Sequence, residues 1–203
     1  MHELSDEDRA SSPSTEDSST PSTETGAVRL RAHISAAEAL AVFRRKVPGS
    51  DAEVREVTHP FWWARLGVRT TGMFTPSSRG RIQRMNVLVN AHSGRGFIAD
   101  FDPLGEDCGI AEWREALAHH GGSTPIPDVD AIGRTARALV RTKVLKTVKL
   151  GMRIGIDDLV VPRPVLKPNW LITGANEKHS ATILVDGLDS SHYVMRAGKA
   201  ESR

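Results

Sequence analysis

From Pro60 the chain alternates. Trp62, Ala64, Leu66 and Val68 fall on one side of an extended strand, and Trp63, Arg65 and Arg69 on the other. A loop, TGMFTPSSRGR, separates this strand from IQRMNVLVNA, where Met85, Val87, Val89 and Ala91 alternate as a second strand. HSGRG is a turn, and GFIADF a third strand. Ahead of all three, ISAAEALAVFRRK has helical spacing. Ser35 and Glu38 stand where a reciprocal capping box needs them, Leu40 and Phe43 face the core, and Pro48 and Gly49 end the helix.

The same order then returns. PIPDVDAIGRTARALVRTKVLK predicts a long helix with Asp128 as N-cap, IDDLVVPRPVLKPNWLITG is extended, and SATILVDG, LDSS and HYVMRA read as strand, turn and strand. Pro60-Phe61-Trp62 aligns with Pro168-Asn169-Trp170, and Val87-Leu88-Val89-Asn90 with Ile183-Leu184-Val185-Asp186. The expected fold class is therefore α+β: two repeated α-β-β-β units with antiparallel sheets, over 28–103 and 128–198. A helix and loop over 104–127 join them, with Ile110, Trp113 and Leu117 on one helical face. In this scheme Trp62 and Trp170 are the aromatic plugs of the two cores. Trp63 lies on the other face, as a candidate surface for a partner.

The helix-break-strand run ISAAEALAVFRRKVPGSDAEVREV, followed by VLVNAHSGRGFIAD, resembles the PepSY module, as does the turn Val89-Asn90-Ala91-His92-Ser93-Gly94 with its second form Val185-Asp186-Gly187-Leu188-Asp189-Ser190. The resemblance implies a capped helix followed by a strand meander, and a role that is usually non-catalytic. Modules of this kind are often exported or membrane-attached. The start of this chain has neither a basic n-region nor an apolar h-region, so the expected location is cytoplasmic.

Charge changes the picture more than composition does. The net charge is only +2. Yet residues 1–25 hold seven acids against one base, while the remaining residues hold 26 bases against 18 acids. Residues 1–27 are rich in Ser, Thr and Pro and poor in apolar side chains, so a disordered acidic tail is expected there. Between Ala131 and Ile156 there is no acid at all. Arg134, Arg137, Arg141, Lys143, Lys146, Lys149 and Arg153 punctuate a row of apolar residues, which predicts a basic helix able to meet phosphate or anionic lipid.

Candidate chemistry is thin by comparison. The single Cys108 permits no internal disulfide and no cysteine-built zinc site. Asp100, Asp102 and Gly105 imitate part of a calcium loop, but Leu104 and Ala111 stand at ligand positions. His119 and His120 point about 100° apart on a helix, and His92-Ser93 lacks the elbow and orienting acid of a nucleophile. The expectation is a binding module that is not an enzyme and needs no metal or cofactor. Its candidate binding residues are Trp63, Arg65, Arg69, Arg134, Arg137, Arg141, Lys143, Lys146 and Lys149. A protein or peptide docking on Trp63 and a sheet edge is the first partner class, and nucleic acid or an acidic membrane surface the second.

Overall fold

The computed structural model describes residues 26–71, 82–119, 128–147 and 153–199. The expected tail, Lys149, His120 and residues 72–81 and 148–152 lie outside the described residues. Eight strands and three helices follow in the order β1 (Ala27–Leu30), α1 (Ala36–Lys46), β2 (Asp51–Thr71), β3 (Ile82–Asn90), β4 (Gly96–Ala99), β5 (Gly105–Cys108), α2 (Ile110–His119), α3 (Val129–Leu145), β6 (Arg153–Ala175), β7 (His179–Asp186) and β8 (His192–Lys199). None of these helices is long and apolar enough to cross a membrane. The fold is α+β, and all eight strands belong to one mixed sheet.

Whether the two halves share a sheet was not legible in the sequence; they do, and the sheet is mixed rather than wholly antiparallel. β2 and β6 are each more than twenty residues long and pair antiparallel, from Asp51 opposite Ala175 to Thr71 opposite Arg153. Each strand then serves both ends of the molecule. The second half of β2 carries β3 and β4, and the second half of β6 carries β7 and β8. Short β1, which no periodicity marked, pairs parallel to β6 at Val28 opposite Val165 and antiparallel to β5.

α1 begins with the predicted capping box. Ser35 Oγ accepts the Glu38 N–H, and a Glu38 carboxylate oxygen accepts the Ser35 N–H at 2.8 Å. These bonds hold the Glu38 carboxyl below the usual range, the backbone one first. Its buried face, Ala39, Val42, Phe43 and Val47, packs on Ile172 of β6 and Ala181, Ile183 and Val185 of β7. α3 buries Ile132, Ala136, Val140 and Val144 against Ala64, Leu66 and Val68 of β2 and Met85, Val87 and Val89 of β3. Each helix thus covers mainly strands from the other half of the chain. Two of the buried clusters therefore draw residues from both 28–103 and 128–198.

The two turns that follow β3 and β7 are built alike. Asn90 N–H donates to Arg95 O and Gly94 N–H to Asn90 O, while Asp186 N–H donates to Ser191 O and Ser190 N–H to Asp186 O. Gly94 (φ 64°) and Ser190 (φ 63°) both adopt the left-handed conformation. Ala91 N–H reaches Pro60 O at 3.1 Å, and Gly187 N–H reaches Pro168 O at the same distance.

The tryptophans keep opposite faces, as alternation requires, but their burial reverses the expectation. Trp63 is only 9% exposed, within a cluster that includes Val28, Leu30, Phe61, Leu88 and Val165. Trp62, half-buried, meets Trp113 of α2 edge-on at 5.1 Å. The reason is that β1, the turn at Leu188 and the segment at Phe101 close over the face of β2 that the sequence left open. Trp63→Ala should therefore destabilise the protein by about 3–5 kcal/mol, and more than Trp62→Ala does. Chemical denaturation of the two variants measures the difference, and a smaller loss at Trp63 would contradict its place in the core.

Candidate binding surfaces

The predicted site residues divide between the two faces of one strand. Ala64, Leu66 and Val68 of β2 point toward α3, so Trp63, Arg65 and Arg69 point away from it. Trp63 and the α3 cations therefore do not form one site. Burial of Trp63 also corrects its expected role as an open aromatic surface. Its Nε1 donates to Asn86 Oδ1 at 3.1 Å, and the Arg65 guanidinium lies 4.9 Å from the ring centroid. Arg65 is half-buried, donating to the same Asn86 oxygen and forming an ion pair with Asp102 at 2.9 Å. Exposed Arg69 pairs with Asp157.

On α3, every described member of the cation set is exposed. Arg137 pairs with Asp158, its Nε donating at 3.1 Å, and Lys143 pairs with Asp100 at 3.1 Å. Lys146 closes the C-terminal end, where its backbone N–H caps the Lys143 and Val144 carbonyls. Arg134 and Arg141 have no carboxylate partner among the described residues. Together with Arg137 they line an open groove of about 660 Å³ whose apolar floor is Leu145, Ile154 and Ile156. Spacings of three and seven residues put the three guanidinium groups on one helical face, the outer two about 10 Å apart along the axis.

The carboxylates of the calcium-like segment are engaged by Lys143 and Arg65. Among the described residues, no group of three or more His, Cys, Asp and Glu side chains could hold a metal ion. Burial, followed by the neighbouring Glu112, pushes the Cys108 thiol above its ordinary pKa, which leaves little thiolate for nucleophilic attack.

A third feature escaped the sequence. Lys167, 3% exposed, forms an ion pair with Asp186, 7% exposed, and donates to Asn169 Oδ1 at 2.9 Å. Asn169 Nδ2 lies 2.7 Å from His59 Nδ1, and the lysine ammonium sits 5.6 Å from the Phe61 ring centroid. Asp186 also accepts the Leu188 N–H through its other oxygen, tying the pair to the turn after β7. The available signal was alternation: Lys167 shares a strand face with Val165 and Asn169, both buried.

The fourth feature is β8. It pairs only with β7, and α1 covers β2, β6 and β7 without reaching it. Tyr193 (65% exposed), Val194 (58%) and Met195 (64%) stand open in a row. A register shift opposite Thr182 and Ile183 bends the strand at this point. In comparisons with protein-family models, with curated proteins and with solved structures, nothing matches the chain.

Breaking the buried pair on one side should be costly. Lys167→Met leaves Asp186 buried without its cation and should lower stability by about 3–5 kcal/mol, while Lys167→Met with Asp186→Asn should recover much of the loss. The pH dependence has a definite sign. Burial lowers the Lys167 pKa and Asp186 only partly opposes this, so the native state releases the proton before the unfolded chain does, at ~10.4. Stability from this group therefore rises with pH between the lowered value and the ordinary one. Denaturation across alkaline pH should show that rise in the wild type and not in the double variant.

Proposed function

We propose that the protein is a non-catalytic binding module that takes up an extended segment of a protein or peptide along the free edge of β8. The observation that carries this reading is the row Tyr193, Val194 and Met195, apolar and open on an edge strand that no helix covers. An unpaired strand edge offers backbone donors and acceptors to an incoming chain, and side chains on alternate faces supply selectivity. Tyr193 takes the aromatic role first assigned to Trp63.

The reading extends to ancestry and setting. The chain is a duplicated α-β-β-β unit of PepSY-like form, its copies interleaved through exchanged helices. Three features support duplication: the matched turns at Asn90 and Asp186, their anchors at Pro60 and Pro168, and Trp62 opposite Val89 where Trp170 is opposite Val185. His59 and Lys167, at equivalent places in the two copies, pair with each other. An approximate twofold axis through that pair would relate the halves. A cytoplasmic setting agrees with the lone, partly buried Cys108.

The test uses extended peptides selected from a displayed library against the full chain. Tyr193→Asp with Val194→Lys places charge on the edge while leaving the cores untouched, so stability should change by no more than about 0.5 kcal/mol per site. Selected peptides should lose tenfold or more in affinity by calorimetry, a loss of about 1.4 kcal/mol. Equal affinity for the variant would remove β8 as the site.

The arginine groove favours a second reading, an anion-binding face for nucleic acid or an acidic membrane. Binding to that face would weaken steeply with salt, whereas strand addition would hardly change. Titrating a labelled duplex DNA or anionic vesicles at 0.1 M and 1 M salt separates the two, and no binding at the lower salt excludes it.

A further inference from the structure

We infer that the arginine groove between α3 and β6 is the docking site of the chain's own acidic N-terminal segment, with the acidic pair Glu16 and Asp17 supplying charge to the Arg134 and Arg141 face. This does not depend on the β8 reading.

Four observations converge on it. Among the described residues Arg134 and Arg141 lack a carboxylate, while their neighbours Arg137 and Lys143 and the nearby Arg69 each have one. The free cations flank an apolar floor, so the groove suits an extended peptide better than a bare ion. The complementary charge is in the same chain: seven acids and one base over residues 1–25. The remaining observation is directional.

β1 runs parallel to β6, with Val28 opposite Val165 and Arg29 opposite Leu166. Chain preceding Val28 is therefore aimed back along β6, toward its N-terminal half. That half supplies Ile154 and Ile156 to the groove floor. β1 also occupies the edge of β6 away from β2, the edge on which the segment would run.

The length fits as well. Ile156 lies nine residues before Val165, about 30 Å along a strand. The eleven residues from Val28 back to Asp17 reach at most about 36–40 Å when extended, enough to cover that distance. A short tether able to cover the distance gives an effective concentration of order mM, so individually weak ion pairs are enough to hold it. An external acidic partner would have to displace this segment.

The experiment uses the full chain with Ser14→Cys as the attachment point for a spin label and Cys108→Ser to remove the native thiol. At 0.1 M salt the amide signals between Arg134 and Arg141 should lose about twofold or more of their intensity, in keeping with a tethered contact of this effective concentration. They should recover at 1 M salt, where the Debye length falls to ~3 Å. The fold-preserving changes Glu16→Gln with Asp17→Asn, and separately Arg134→Gln with Arg141→Gln, should each restore the signals at 0.1 M. Full intensity at 0.1 M would overturn the proposal. So would attenuation that persists unchanged in either neutralised variant, since it would place the segment there for reasons other than these charges.

Discussion

The antiparallel pairing of β2 with β6 is the constraint on which everything else hangs. Two strands of more than twenty residues cannot both be buried under one helix, whose seventeen or fewer residues span about 25 Å. Each strand therefore gives one half to each end of the molecule, and each end acquires its own hairpin and helix. Because β2 comes from the first half of the chain and β6 from the second, any helix resting on the ribbon covers residues from both. The buried Lys167 belongs to this ribbon, directly opposite His59. A charge at that point is tolerated only because Asp186 and Asn169 supply it with acceptors.

Much of this was legible one element at a time. The capping box of Ser35 and Glu38, the Asp128 N-cap, the inward row of Ile132, Ala136, Val140 and Val144, and the alternation in β2 and β3 all follow from local periodicity. What could not be read was which element covers which. Trp63 alternates toward a face that looked polar because Arg65 and Arg69 share it. That face is closed by Val28, Leu30 and Leu188, which lie far from Trp63 in sequence and belong to no amphipathic run. β1 and β5 are four residues each, too short for periodicity to register.

The candidate binding residues do not gather in one place, and the sequence could not show it. Arginine and lysine were counted along the chain, where a paired cation and a free one look alike. In three dimensions Asp157 and Asp158, adjacent in sequence, are drawn to Arg69 and Arg137. Asp100 and Asp102 are likewise drawn to Lys143 and Arg65. The acids that seemed to form a separate loop thus neutralise part of the basic region and leave Arg134, Arg141, Lys146 and Arg153 without a carboxylate among the described residues. Exposed Tyr193 was overlooked because HYVMRA reads as an ordinary strand, and only topology reveals that no described strand pairs beyond it.

The exchange of helices has a consequence for how the protein is made. α1 leaves the ribosome early, but most of its apolar seat is formed by Ile172, Ala181, Ile183 and Val185. At 5–20 residues per second, about 140 further residues must be added after Lys46 before that seat is complete, a delay of roughly 7–28 s. Throughout that interval Phe43 and Val42 have no finished surface to rest on. The first helix of the nascent chain is thus still waiting for its seat when most of the sheet has been made, a state in which chaperones have the most to hold.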